Sequence, residues 1–262
     1  MMENIRKYII IFALQQLYDW KDRLQYRMQF AVFVAYSSLV PITSYVFVTV
    51  LYSVSGGIPG WSYYQLMFLT SVNNTAIAVL YYLFSIRGTY DKLKKGDLDI
   101  YLTKPVPIVI SLLSPGNKYF IASVLGGIVL MVYTILHLSF TPIELIAFVL
   151  ALAAGNIAYL FFLLFFVFAW YKWFTAGYWM ANMNDIITDA GTWPLSIFGI
   201  FGAFVLTVML PIGVAVYFPA LIFTGKVSAL TYIAIIFVAI SLAAIFYKLF
   251  KIALSSYNSA AG

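Results

Sequence analysis

Residues 119–171, YFIASVLGGIVLMVYTILHLSFTPIELIAFVLALAAGNIAYLFFLLFFVFAWY, contain a single charged side chain, Glu144. The hydrocarbon core of a bilayer takes roughly 20 consecutive apolar residues to cross as a helix. This stretch therefore reads as two spans, one over 119–138 and the next starting near Ile143. Ser139-Phe140-Thr141-Pro142 forms the turn between them, with Pro142 suited to the first position of a helix. The second run, as far as Tyr171, exceeds the need of one upright helix, and a tilt or a bend near Gly155-Asn156 is expected.

The same pattern extends in both directions. Residues 28–86, 190–225 and 227–247 also lack Asp, Glu, Lys and Arg. Span 1 is expected over 28–52, span 2 over 61–86 after the turn-rich Ser53–Gly60, span 5 over 195–210 and span 6 over 228–247. Pro211, Gly213 and Pro219 interrupt the stretch between the last two, so residues 211–226 are expected to form a re-entrant hairpin, which survives at membrane depth only where protein or a wet cavity surrounds it. Residues 170–193 mix Trp170, Tyr171, Trp173, Tyr178, Trp179 and Trp193 with Lys172, Asp185 and Asp189, a mixture suited to the headgroup level. Residues 1–27 alternate apolar and polar positions at helical spacing and predict a helix lying in the membrane surface, with no short apolar region and cleavage site of a signal peptide. The expected fold is a single all-α transmembrane domain over 1–262.

Hydrophobic residues make up 64% of the chain and charged ones 9%, whereas about a quarter of a soluble domain is charged. The net charge of +6 is concentrated in the segments between spans. With both termini inside, every Lys and Arg lies on the cytoplasmic side except Lys226, the arrangement that the positive-inside rule selects. Such basic residues meet anionic headgroups of membrane lipids rather than nucleic acid.

Chemistry at depth is sparse. Cysteine is absent, which excludes disulfides and thiolate chemistry. His137 stands alone near the outer end of span 3, where a hydrogen-bonded interface histidine is the expected role and a zinc site would need three or four ligands. Glu144 is expected in solvent at the outer turn, and Asp185 and Asp189, four apart, at the cytoplasmic mouth of span 5. The missing constellation of His, Asp and Glu excludes a lipid-modifying enzyme. No Gly-x-x-x-x-Gly-Lys-Ser/Thr occurs either, so ATP hydrolysis by this chain is not expected. Asn73 and Asn74 in span 2 and Asn156 in span 4 cannot face lipid cheaply. Hydrogen bonding between helices is their default role, and lining of a translocation path is the sharper alternative.

The loop over residues 87–118 holds six of the fifteen Lys and Arg residues. Thr89 is placed to cap a helical turn ended by Gly96, and Asp97 to cap a second short helix whose Leu98, Tyr101 and Leu102 form an apolar ridge, stopped by Pro105 and Pro107. An exposed ridge flanked by charge suits docking of a soluble partner.

Here the sequence resembles the permeases of ABC-2-type transporters, in the six-span branch of uncharacterised transport systems. Gly96, Leu98, Asp99, Leu102, Lys104 and Pro105 match that branch's loop pattern; Leu24-Gln25-Tyr26-Arg27 before span 1 and the Pro211–Pro219 segment before span 6 agree with it. The resemblance implies a permease subunit paired with a second copy or a sister permease and with cytoplasmic ABC ATPases. ATP and magnesium would be bound by those ATPases, this chain binding no cofactor. It also implies a coupling role for Gly96, Asp97, Leu98, Asp99, Tyr101, Leu102, Lys104 and Pro105. An ATP-independent channel or a membrane scaffold is the rival reading. The sequence carries neither a large outer domain nor a fused ATPase, which leaves the substrate open.

Overall fold

A computed structural model describes residues 2–113, 116–173, 177–225 and 227–257. Among these there is no strand. Helix α1 (Met2–Gln25) leads into α2 (Arg27–Ser55), and α3 (Tyr63–Leu83) is followed by three short helices, α4 (Ile86–Lys95), α5 (Leu98–Leu102) and α6 (Ile108–Leu112). A 3₁₀ turn at Lys118–Phe120 opens α7 (Ile121–Ile135), and α8 (Pro142–Trp173) and α9 (Gly177–Ala190) complete the middle of the chain. The last third contains α10 (Gly199–Phe204), α11 (Phe218–Leu221) and α12 (Ala229–Ser255), with π-turns at Val205–Met209 and Gly213–Tyr217. Five helical runs are long and apolar enough to cross a membrane, and the pair formed by α9 and the run to Met209 makes a sixth if counted as one broken span. The protein is a multi-pass membrane protein.

Helix α3 is the inner helix: every residue from Leu66 to Ala78 is buried. Its hydroxyl side chains are satisfied locally, as Thr70, Ser71 and Thr75 donate to carbonyls three or four residues back. Helix α2 buries only Ser37, Pro41 and Val48 and turns a wide apolar face outward. Apolar side chains gain nothing by leaving lipid for protein, so close packing and interhelical hydrogen bonds must hold such helices together. Accordingly Ser37 Oγ donates to the Tyr119 carbonyl at 2.6 Å, and Ser123 Oγ donates to the Ser37 carbonyl. Gly126 meets the Pro41 ring and Gly127 meets Thr75, so the glycine pair of span 3 sits where α7 approaches both neighbours.

Helix α8 runs through Gly155-Asn156 without a break. Gly155 is needed for a close approach. A Cβ there would overlap the Val214 carbonyl oxygen and come within 2.9 Å of the Ala215 Cα, so the irregular segment after Pro211 lies backbone against helix. That segment buries Gly213–Val216, Pro219, Ala220, Ile222 and Phe223 between α3 and α8. Phe223 packs on Phe68 and Phe148 with centroids 4.9 and 5.1 Å away, and Gln65 Nε2 donates to the Thr224 carbonyl at 3.0 Å. Lys226, at the end of the expected hairpin, lies outside the described residues.

The fifth span differs most from expectation. The expected span over 195–210 is present as a helical run from Leu195 to Met209, built of successive 3₁₀, α and π turns. It is preceded by α9, which begins at Gly177, inside the segment expected at the headgroups, and the run leaves α9 at 114°. The break has local causes: Gly191, Thr192 and Trp193 donate to carbonyls three residues back, tightening the last turn, and Pro194 has no N–H with which to continue.

Candidate functional site

Helices α4 and α5 form a compact hairpin at the end of the bundle that carries the basic residues. Ser85, not Thr89, caps α4, its Oγ accepting from the Gly88 N–H at 3.0 Å. Thr89 is buried with its hydroxyl unpaired. Gly96 ends α4 as expected, with φ of 77°, a conformation that costs a residue with a Cβ. The Gly96 N–H donates to Leu93 and the Asp97 N–H to Lys92, the paired bonds of a Schellman turn. Lys92, Lys94 and Lys95 in the last turn complement the helix dipole. Asp97 makes no side-chain cap on α5, contrary to expectation.

The expected ridge of Leu98, Tyr101 and Leu102 is not one exposed surface. Leu98 is fully buried, in one cluster with Leu93 and Tyr90. Tyr101 is half-buried and lies between two ammonium groups, Lys92 Nζ at 4.5 Å and Lys104 Nζ at 4.6 Å from its ring centroid. Such cation–π contacts are worth about 0.5–1 kcal/mol each at exposed sites. Leu102 is 46% exposed, and its apolar neighbour at the surface is Ile100, 60% exposed. A helix of five residues is too short for a sequence period to show which side faces inward, so Ile100 carried no signal. Asp97, Lys104 and Pro105 are exposed around this pair, and Asp99 is half-buried.

The hairpin is firmly seated. Helix α4 packs on α8 and α9, and Tyr90 meets Tyr171 edge-on at 6.3 Å. The chain after α12 reaches the same place. Burial, then the charge of Asp99, then Tyr171 and the charge of Asp97 push the Tyr257 hydroxyl above the usual tyrosine range. Helix α1 is tied to the same end of the bundle. Lys118 is fully buried, donates to Gln16 and to the Tyr82 carbonyl at 3.3 Å, pairs with Asp19 at 3.6 Å and lies 4.3 Å over the Tyr82 ring. Trp20 Nε1 donates to the Tyr82 hydroxyl at 2.9 Å.

Above the hairpin runs a polar chain that sequence reading did not find. Tyr159 donates to Asn184 Oδ1 at 3.0 Å, Asn184 Nδ2 to the Tyr81 hydroxyl at 2.7 Å, and Tyr81 to Asp185 Oδ1 at 2.7 Å. It joins α8, α9 and α3. The only sequence signal was hydroxyl and amide groups inside apolar runs, on helices whose pairing was unknown.

The three asparagines singled out as path lining are not gathered in one place. Asn74 Nδ2 donates to Ser44 Oγ of α2 at 3.0 Å, whereas Asn156 Nδ2 donates to the Leu152 carbonyl at 2.8 Å and to Ala215 at 3.4 Å, holding α8 to the irregular segment. Asn73 is buried, with Oδ1 unpaired beside Gly191. His137 stacks on Tyr64 at 4.4 Å, with Nδ1 2.8 Å from the Tyr133 carbonyl. Glu144 is not merely solvated. Its carboxylate accepts from the Thr141 N–H at 2.6 Å and from the Tyr232 hydroxyl at 3.1 Å, and Thr141 Oγ1 accepts from the Glu144 N–H in return, a capping box. Among the described residues no three His, Asp or Glu side chains are placed to hold a metal ion.

Comparison with known proteins gives one result. The sequence model of a family described as "ABC-2 family transporter protein" matches residues 38–261. No curated protein and no solved structure matches the chain.

Proposed function

This chain belongs to the ABC-2 transporter family, and we propose that it is the permease subunit of an exporter driven by separate ATPase chains. The observation that carries the coupling step is the α4–α5 hairpin. It follows α3 directly, its α4 packs against α8 and α9 with Tyr90 meeting Tyr171, and it leaves Ile100 and Leu102 exposed on α5. A displacement of the hairpin is thereby passed to three helices at once, as a switch between two arrangements requires. The ATPases bind ATP and magnesium; this chain supplies the docking element and the path. A second permease, identical or a sister chain, completes the assembly, and the basic end with both termini faces the cytoplasm.

Affinity purification of the full chain from its native membrane tests this reading. The expected result is a stoichiometric partner whose peptides contain a Walker sequence, with magnesium-dependent ATP hydrolysis in the purified complex. Purification of the permease without such a partner would favour a channel or a scaffold.

A further inference from the structure

Between α2, α3 and the turn after α9 lies a cleft of about 280 Å³ whose lining includes Thr43, Ser44, Phe47, Thr70, Thr192 and Trp193. Its floor is the stretch of α3 where every residue is buried, its α2 side with Thr43 and Phe47 is exposed, and no ionisable side chain lines it. Its volume is at the lower end of ligand sites, suited to one chemical group rather than to a whole large cargo.

The hydroxyl groups here share one property. Each proton is already committed to a backbone carbonyl: Thr43 to Leu39 at 2.9 Å, Ser44 to Val40 at 2.9 Å, Thr70 to Leu66 at 2.9 Å and Thr192 to Asp189 at 2.7 Å. What they turn to the cleft is lone pairs. Ser44 uses one lone pair to accept from Asn74 Nδ2. Asn73, one turn along α3 from Thr70 and behind the lining, is 5% exposed, and its Oδ1 has no hydrogen-bond partner. That oxygen lies 2.6 Å from where a Cβ on Gly191 would be, next to Thr192, so only glycine leaves it room. Phe47 and Trp193, edge to face at 5.6 Å, form the apolar wall, and the Trp193 indole is the only N–H among the lining side chains.

This pattern discriminates between ligands. The lining side chains present hydroxyl lone pairs and a single N–H, so a group rich in donors is favoured. An anion would face lone pairs, and an ammonium would lose its water without gaining a carboxylate. A hydroxyl-rich neutral group satisfies the acceptors and can still accept from the one N–H. We propose that the cleft holds the uncharged, hydroxyl-rich head of an amphipathic cargo during transport. The assignment rests on the permease reading above for its role, but the binding it predicts needs neither ATP nor a partner chain.

The test is photolabelling of the full chain in phosphatidylcholine nanodiscs with an octyl glucoside carrying a diazirine at the first carbons of its alkyl chain, followed by peptide mapping. Label is expected on residues 43–48 and 192–193. Unlabelled octyl glucoside should compete about tenfold better than its tetra-O-methyl ether, which keeps the acceptors and loses the donors, an effect equivalent to about two net hydrogen bonds. Thr70→Val with Thr192→Val should lower this labelling by a similar factor at unchanged melting temperature. If that pair fails to fold, Thr43→Val, on the exposed rim, takes its place and should reduce labelling at residues 43–48 in the same direction. Equal competition by the two glucosides, or label spread over lipid-facing α2 residues such as Val32 and Tyr36, would overturn the assignment. Loss of ATPase partnership with intact labelling would overturn the transport reading and leave this site standing.

Discussion

Ile100→Asp combined with Leu102→Asp is expected to abolish association with the ATPase while leaving the permease folded. Ile100 is 60% and Leu102 46% exposed, and neither belongs to the buried core, so the substitutions leave that core intact. Two carboxylates placed in an apolar interface would each be desolvated without a partner, and truncation of central apolar anchors alone commonly costs 2 kcal/mol or more. A loss of roughly a hundredfold or more in affinity is expected on that basis. The comparison with Leu98→Asp separates docking from folding. Leu98 is fully buried, so its replacement by a charge should lower the melting temperature and the yield as well as the association. Association unchanged in the Ile100/Leu102 pair would show that the partner docks elsewhere.

Gly155→Leu should have the largest effect on folding. The Val214 carbonyl and the Ala215 Cα occupy the space that a side chain would need, and both belong to backbone that cannot rotate away. Overpacking against movable side chains costs about 1–3 kcal/mol, and displacement of backbone costs at least the upper end of that range. The segment from Pro211 to Thr224 is expected to leave its groove between α3 and α8, exposing the region around Phe223 to protease in nanodiscs. Ala153→Leu, one turn face away on the exposed side of α8, should leave melting and protease resistance at wild-type values. Equal behaviour of the two variants would contradict the close approach at Gly155.

The parts of this fold legible in the sequence are those set by composition or by a single backbone requirement. Long runs without charge located the membrane helices, Gly96 marked a left-handed turn, and Pro142 marked the first turn of α8. The parts that were not legible depend on which surfaces meet. Gly155 suits a bend and a close approach equally well, and only the neighbour decides. The aromatic and acidic residues of 177–190 suit a headgroup segment, yet Asn184 is buried in hydrogen bonds with Tyr81 of α3 and Tyr159 of α8. In the hairpin, the sequence pattern placed the two short helices, but the choice between Leu98 and Ile100 for the exposed side depended on how α5 rests on α4.

The claim that an ATPase drives this permease through the hairpin is tested most directly by site-specific photocrosslinking. A photoreactive residue is placed at position 100 of the full chain in its native membrane, with a second at the lipid-facing position of Val32 as control. One dominant adduct is expected from position 100, enlarged by the mass of a Walker-motif ATPase and formed in a yield that changes when ATP is trapped, and no such adduct from position 32. Adducts from position 100 with lipid alone, or with the same proteins as position 32, would contradict it.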